Sequence, residues 1–252
     1  MSQTSCKSFP SFKLENGLTL KDCTLAYETH GILNEKKDNA ILIFHALSGG
    51  SHISGTVDSE EKEDSLTPVE YLEKYNHFRE PKEGWWSIAV GPKKAFDTEK
   101  FFVICANMLG GCYGSSGPSS INPETGKRYA SKFPVITVKD IVRSQKMLVE
   151  SLGIEKLFAV AGGSFGGFCV LEWAITYPKS SESFVAIATS ATRSNINLSR
   201  NNNQKYSITT DDHFNGGEYY ENEWPSNWPI KGLKLARMIA HETYVDLDAK
   251  EV

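Results

Sequence analysis

The stretch "FAVAGGSFGGFCVLEWA", residues 158–174, runs from an apolar β-like segment through a glycine-rich turn into an apolar stretch with helical spacing. Gly162, Gly163, Gly166 and Gly167 flank Ser164 and give the pattern G-x-S-x-G. A serine in this setting is expected on a nucleophile elbow, a strained strand-to-helix turn that exposes its Oγ and needs small neighbours so that the backbone can fold beneath it. The pattern is short enough to arise by chance. Its weight comes from the strand before it and the apolar helix after it.

Outward from this turn, short apolar runs read as strands: 24–31 ("TLAYETHG"), 39–47 ("NAILIFHAL"), 101–109 ("FFVICANML"), 156–163 and 183–190 ("SFVAIATS"). Their lack of polar alternation predicts strands covered on both faces. Between the third and fourth, Thr137 with Asp140 three residues on is a capping-box start. Val138, Ile141, Val142, Leu148 and Leu152 then recur at helical spacing until Gly153. After Ser164 a second helix, with Phe168, Leu171, Ala174 and Ile175 in register, ends at Tyr177-Pro178. Strand, helix, strand, serine, helix, strand is the order of a mostly parallel α/β sheet. The charged segment 58–84 reads as a solvated insertion with a short helix around Val69–Tyr75. Past Ser190 the chain turns Asn-rich, then aromatic, then helical ("GLKLARMIAHETY"), so the reading divides it into a core of 1–190 and the beginning of a cap over 191–252.

The chain has 252 residues, 40% hydrophobic, and can bury one large core or two modest ones. A net charge of −4 and the absence of a sustained basic run argue against a nucleic-acid partner. No segment has the continuous apolar length of a membrane span, and the first residues lack the apolar core of a secretory signal, which points to the cytoplasm. Five scattered cysteines without C-x-x-C spacing suit reduced thiols better than disulfides, and no metal site is expected.

An activated serine needs two N–H donors for the oxyanion. One comes from the residue after it, Phe165, and the other from a loop after an earlier strand. "FHALSGG", 44–50, is that loop, which singles out the Leu47 region; its plain alternative is a strand-end turn with a satisfied core His45. The serine also needs a base. Downstream stand only His213 and His241, with Asp211, Asp212, Asp246 and Asp248 as carboxylates. Neither histidine follows a late strand, where a triad histidine belongs.

Taken together, "AYETHGILNEKKDNAILIFHALSG", the run from "GWWSIAVGPKKAFD" through "LGGCYGSSGPSSINPETG" to "DIVRSQ", the serine turn with "LEWA", and "GLKLARMIAHETY" resemble the homoserine O-acetyltransferase family. The resemblance implies an α/β-hydrolase fold with a helical cap. It implies acetyl transfer from acetyl-CoA, a co-substrate rather than a bound cofactor, to the hydroxyl of L-homoserine in methionine biosynthesis, by way of an acyl-Ser164. It implies Leu47 and Phe165 as oxyanion donors, with Phe165 where the family more often has Met, and Arg237 and Tyr244 as residues of the substrate pocket. It also implies a homodimer where the cap is complete. Family members carry the triad Asp and His on two further strands, to which nothing here corresponds, so the expected activity of these 252 residues is impaired. A succinyl donor, a serine acceptor, a simple esterase and a non-catalytic remnant stay open as alternatives.

Overall fold

The computed structural model describes residues 4–56 and 83–244. Nearly all of the charged insertion, with its expected helix around Val69–Tyr75, lies outside them, as do Asp246 and Asp248. The described residues form two compact units, one of residues up to 129 with 133–191, the other of 130–132 with 192 onward.

The first unit is built on a six-stranded sheet. In chain order its strands are β1 (Ser5–Lys13), β2 (Thr19–His30), β3 (Ala40–Phe44), β6 (Phe102–Ala106), β7 (Leu157–Gly163) and β8 (Ser181–Ile187); two short strands, β4 (Val90–Gly91) and β5 (Phe96–Asp97), pair separately. The spatial order is β1-β2-β6-β3-β7-β8. The last four are parallel to one another, while β2 runs antiparallel to both β1 and β6. β3 lies inside, with Phe44 opposite Gly162 of β7 and Ile43 opposite Cys105 of β6. All five of its residues are buried, as expected of a parallel strand covered on both faces.

Strand alternation divides the core in three. Leu42 and Phe44 face a cluster with Val142, Val160, Cys169, Val170 and Trp173. Ile41 and Ile43 point the other way, into a cluster with Ile53, Val90, Val103 and Cys105. The antiparallel end forms a third with Phe12, Leu14, Cys23, Leu25 and Leu148. Each cluster encloses one buried free cysteine. Burial pushes the thiols of Cys23 and Cys169 up to about 12, and that of Cys105 well above its ordinary value.

Helix α1 (Val138–Ser151) begins as the sequence predicts: Thr137 Oγ1 accepts the N–H of Asp140, and Asp140 Oδ2 accepts the N–H of Thr137. It buries Ile141, Val142, Leu148 and Val149. Helix α2 (Phe165–Thr176) also occupies the predicted span but turns a different face inward. Cys169, Val170 and Trp173 are buried, whereas Ile175 is 78% exposed. The helix is apolar nearly all round, so spacing alone cannot choose its face. Trp173 decides it, packed edge-on against Phe44 with its Nε1 donating to Ser180 Oγ at 2.8 Å. β8 departs from the expected double covering, since among the described residues it is an edge strand with Val185 and Ile187 each 40% exposed. β1 has no apolar run to announce it and is held by pairing with β2 from Ser5 to Lys13.

The second unit contains α3 (Asn195–Thr209) and α4 (Ile230–His241). The Asn-rich segment is thus a helix, which its composition conceals. Ser194 caps it by accepting the N–H of Asn197, and it packs against α4. Among the described residues no helix is long and apolar enough to cross a membrane.

Asp140 is fully buried and also accepts the N–H of Glu15 at 2.8 Å through Oδ1, so one carboxylate caps α1 and ties it to the β1–β2 turn. Asp140→Ala should lower unfolding stability by about 1 to 3 kcal/mol, because the bonds to the Thr137 and Glu15 N–H groups are lost together. A denaturant midpoint within experimental error of the parent would contradict this.

Candidate active site

Ser164 stands between the last residue of β7 and the first of α2, with φ 55° and ψ −118°. Positive φ is uncommon for any residue with a side chain, and this ψ lies outside the small left-handed region where it is tolerated. Such a conformation costs on the order of 1–3 kcal/mol and persists only where the surroundings over-determine it. Here they do. The N–H of Ser164 donates to the carbonyl of Ile187 at the end of β8, and its carbonyl accepts the N–H of Gly167, both at 3.0 Å. The side chain makes no capping bond to α2, and the residue is exposed.

The glycines around it are not equivalent. A Cβ on Gly166 would overlap the Phe44 carbonyl oxygen and approach that of His45 to 2.8 Å; one on Gly162 would lie 2.6 Å from the carbonyl oxygen of Gly166. A Cβ on Gly167 would collide with the Thr189 side chain, whereas one on Gly163 meets only the Ile187 oxygen at 3.9 Å. Gly162 and Gly166, the two of G-x-S-x-G, are therefore the ones whose Cβ would strike backbone beneath the turn, Gly167 is barred by the Thr189 side chain, and Gly163 alone of the four has room for one.

Phe165 is the first residue of α2, so its N–H belongs to the first turn and has no acceptor within the helix. Its ring packs on the core cluster beneath the helix and edge-on to Phe168. Leu47 lies in the loop that leaves β3, with a side chain 72% exposed. The backbone bond of that loop's turn runs from the Gly49 N–H to the Ala46 carbonyl and does not engage the Leu47 N–H. The contact of Gly166 with the carbonyls of Phe44 and His45 brings this loop's root against the first turn of α2.

In the second unit, Arg237 is exposed on α4 and Tyr244 lies three residues past its end, its ring edge-on to His241. His213 sits with Asp211, Asp212, Lys231 and Tyr206 around a cavity of about 520 Å³ between α3 and α4. Asp211 is already committed. It accepts the N–H of Gly232 at 2.6 Å and that of His213 at 2.9 Å, which hold its carboxyl below the usual range, and its nearest oxygen is 3.7 Å from His213 Nδ1. This carboxylate serves the start of α4 rather than orienting an imidazole. Among the described residues no group of three or more His, Cys, Asp or Glu is placed to hold a metal ion.

Beside the Leu47 loop lies a buried polar set of which the sequence reading names only His45, as a satisfied core residue. His45 Nε2 accepts the N–H of Met108 at 3.1 Å, and Asn107 and Ser115, both buried, bond one another close by. The signal for it lay in "ANMLGGCYGSS", whose small and polar residues follow a buried strand directly.

The profile of the alpha/beta hydrolase fold family matches residues 39–217. Homoserine O-acetyltransferase from Methanosarcina acetivorans is 48% identical over 235 residues, 93% of this chain and 39% of the relative. Among solved structures, homoserine O-acetyltransferase from Bacillus anthracis superposes with a TM-score of 0.81 at 32% identity, over 96% of this chain and 60% of that one. Esterase E22 does so with a TM-score of 0.81 at 32% identity, over 96% and 61%. The chain spans about half the length of the curated relatives it matches, from 39% to 58%. The chain belongs to the alpha/beta hydrolase fold family, and the curated relatives it resembles within that family are homoserine O-acetyltransferases.

Proposed function

We propose that these residues are the nucleophile-bearing part of a cytoplasmic homoserine O-acetyltransferase. Ser164 Oγ attacks the thioester carbonyl of acetyl-CoA, and the N–H groups of Leu47 and Phe165 receive the negative charge that develops on its oxygen. The C–S bond breaks, CoA leaves as the thiol, and the acetyl group stays on Ser164 as an ester. The hydroxyl of L-homoserine then attacks that ester, O-acetylhomoserine departs, and the serine is regenerated. On this reading the base that moves the protons, with its carboxylate, belongs to the part of the relatives' length that the matched span does not cover, and neither His213 nor His241 fills that role. The observation that carries the proposal is the backbone of Ser164, held at positive φ over two sterically obligatory glycines, in a chain 48% identical to a homoserine O-acetyltransferase.

We assign acceptor recognition to Arg237, whose planar donor fork suits the α-carboxylate of an amino acid, and to Tyr244. Exposed Leu233, Leu235 and Met238 on α4 support association of two copies through this unit. A second reading, ester hydrolysis with water as acceptor, is favoured by the close superposition on esterase E22.

In the full-length protein, exposure to an activated acetyl donor should place acetyl on Ser164 and on no other serine, and Ser164→Ala should abolish it; peptide mass spectrometry showing another serine modified and Ser164 spared would overturn the assignment. Acetyl release should rise with homoserine and yield O-acetylhomoserine, whereas release indifferent to homoserine would select the hydrolytic reading. In the full-length protein, Arg237→Ala should cut kcat/KM for homoserine about 10- to 100-fold, the worth of a charge-assisted pair, and leave the acetylation half-reaction within about twofold. Equal losses in both half-reactions would remove Arg237 from acceptor recognition.

A further inference from the structure

The loop after β3 carries a buried histidine that the proposed chemistry leaves idle. His45 is 2% exposed and stands two residues before Leu47. Its Nδ1 lies 2.7 Å from the carbonyl oxygen of Ala46, and its Nε2 lies 3.1 Å from the backbone nitrogen of Met108 and 3.4 Å from Nδ2 of Asn107. A carbonyl only accepts and an amide N–H only donates, so the two ring nitrogens hold opposite roles: a proton on Nδ1 and a lone pair on Nε2. A second proton would set an N–H against the N–H of Met108 in a site without solvent. Burial holds the imidazole down to about 4, against the opposing pull of the Ala46 carbonyl. At neutral pH His45 is therefore an uncharged ring of one tautomer with no proton to trade.

Its surroundings are rigid on both sides. Asn107 donates its N–H to the Ala26 carbonyl at 2.8 Å, and Ser115 Oγ accepts the Ala26 N–H at 3.0 Å while donating to the Asn107 carbonyl at 2.6 Å. Asn107, Ser115 and Ala26 are each no more than 3% exposed, so Met108 leaves a segment fastened to β2. On the other side the Gly49 N–H donates at 2.9 Å to the same Ala46 carbonyl that takes the His45 proton, and a Cβ on Gly49 would lie 2.9 Å from the Cβ of His45. The Ala46 carbonyl oxygen is thus held by two donors. That oxygen and the Leu47 N–H are opposite ends of one planar trans peptide group, so a direction imposed on one is imposed on the other.

We propose that His45 is a positioning residue: by bridging the Ala46 carbonyl and the Met108 N–H in one tautomer, it fixes the Ala46–Leu47 peptide plane and thereby aims the Leu47 N–H at the oxyanion. The inference rests on the reading of Leu47 as an oxyanion donor. It gives the loop's histidine a role separate from acid–base catalysis and connects that role to "ANMLGGCYGSS".

Two variants and two readouts test it. Nitrogen-15 NMR of the chain should show His45 as the neutral Nδ1–H tautomer from pH 8 to pH 5, with protonation setting in only towards pH 4. His45→Leu removes both bonds, whereas His45→Asn keeps a donor where Nδ1 stands. In His45→Leu the Leu47 and Gly49 amide resonances should move and Gly49 exchange should quicken at least tenfold, and in the full-length protein the rate of Ser164 acylation by p-nitrophenyl acetate should fall roughly 10- to 100-fold, less than the outright loss of a donor. The KM for that ester should hold within about twofold, and His45→Asn should recover most of the rate. An Nε2–H tautomer or an imidazolium at pH 7, or unchanged Leu47 and Gly49 amides in both variants, would overturn the proposal. So would a His45→Leu protein that acylates at the parent rate. Should His45→Leu not fold, His45→Asn carries the test, because a loss there as deep as that of Ser164→Ala contradicts the Ala46 anchor. A full-length protein with the expected tautomer and a protected Gly49 amide but no acylation of Ser164 would refute the reading of the serine and leave the anchored peptide standing.

Discussion

The backbone of Gly166 lies so close to the carbonyl oxygens of Phe44 and His45 that no side chain fits between them. This contact joins the first turn of α2 to the end of β3, the inner strand whose every residue is buried. It holds the serine turn and the β3 loop as one piece, and the strained Ser164 backbone draws on that stiffness. The Ile187 carbonyl at the end of β8 receives the Ser164 N–H, so three neighbouring strands converge on a single residue. A strained conformation survives when several independent contacts would have to yield together for it to relax. Trp173 completes the support from below, since it seats α2 on Phe44 and ties its far end to Ser180.

What could be read from the sequence divides along physical lines. The inner strands were legible because burial on both faces selects unbroken apolar runs, and α1 because Thr137 and Asp140 mark its start with side chains that bond to it. The inward face of α2 was not, since a helix apolar all round has no preferred direction until a particular side chain, here Trp173, finds its socket. β1 and α3 depend on partners rather than on local pattern: β1 pairs along its whole length with β2, and α3 is a polar helix settled by Ser194 and its packing on α4. At the site, G-x-S-x-G located the turn, but only the folded structure shows that Gly163 is dispensable to its sterics while Gly162, Gly166 and Gly167 are not. His45 looked like an ordinary core histidine because its meaning lies in the two backbone groups it touches, one of them sixty-three residues away along the chain.

The division of the core into three clusters, each with one buried cysteine, has a further consequence. Thiolates react and thiols scarcely do, and the thiols of Cys23, Cys105 and Cys169 are all held in the protonated form and shut away from reagent. Each therefore becomes available to an alkylating agent only when its own layer opens. Cys23 reports on the antiparallel end, Cys105 on the face beneath Val90 and Ile53, and Cys169 on the seat of α2. The fold thus carries three separate clocks for local unfolding, and the order in which they run would trace which layer of the sheet breathes first.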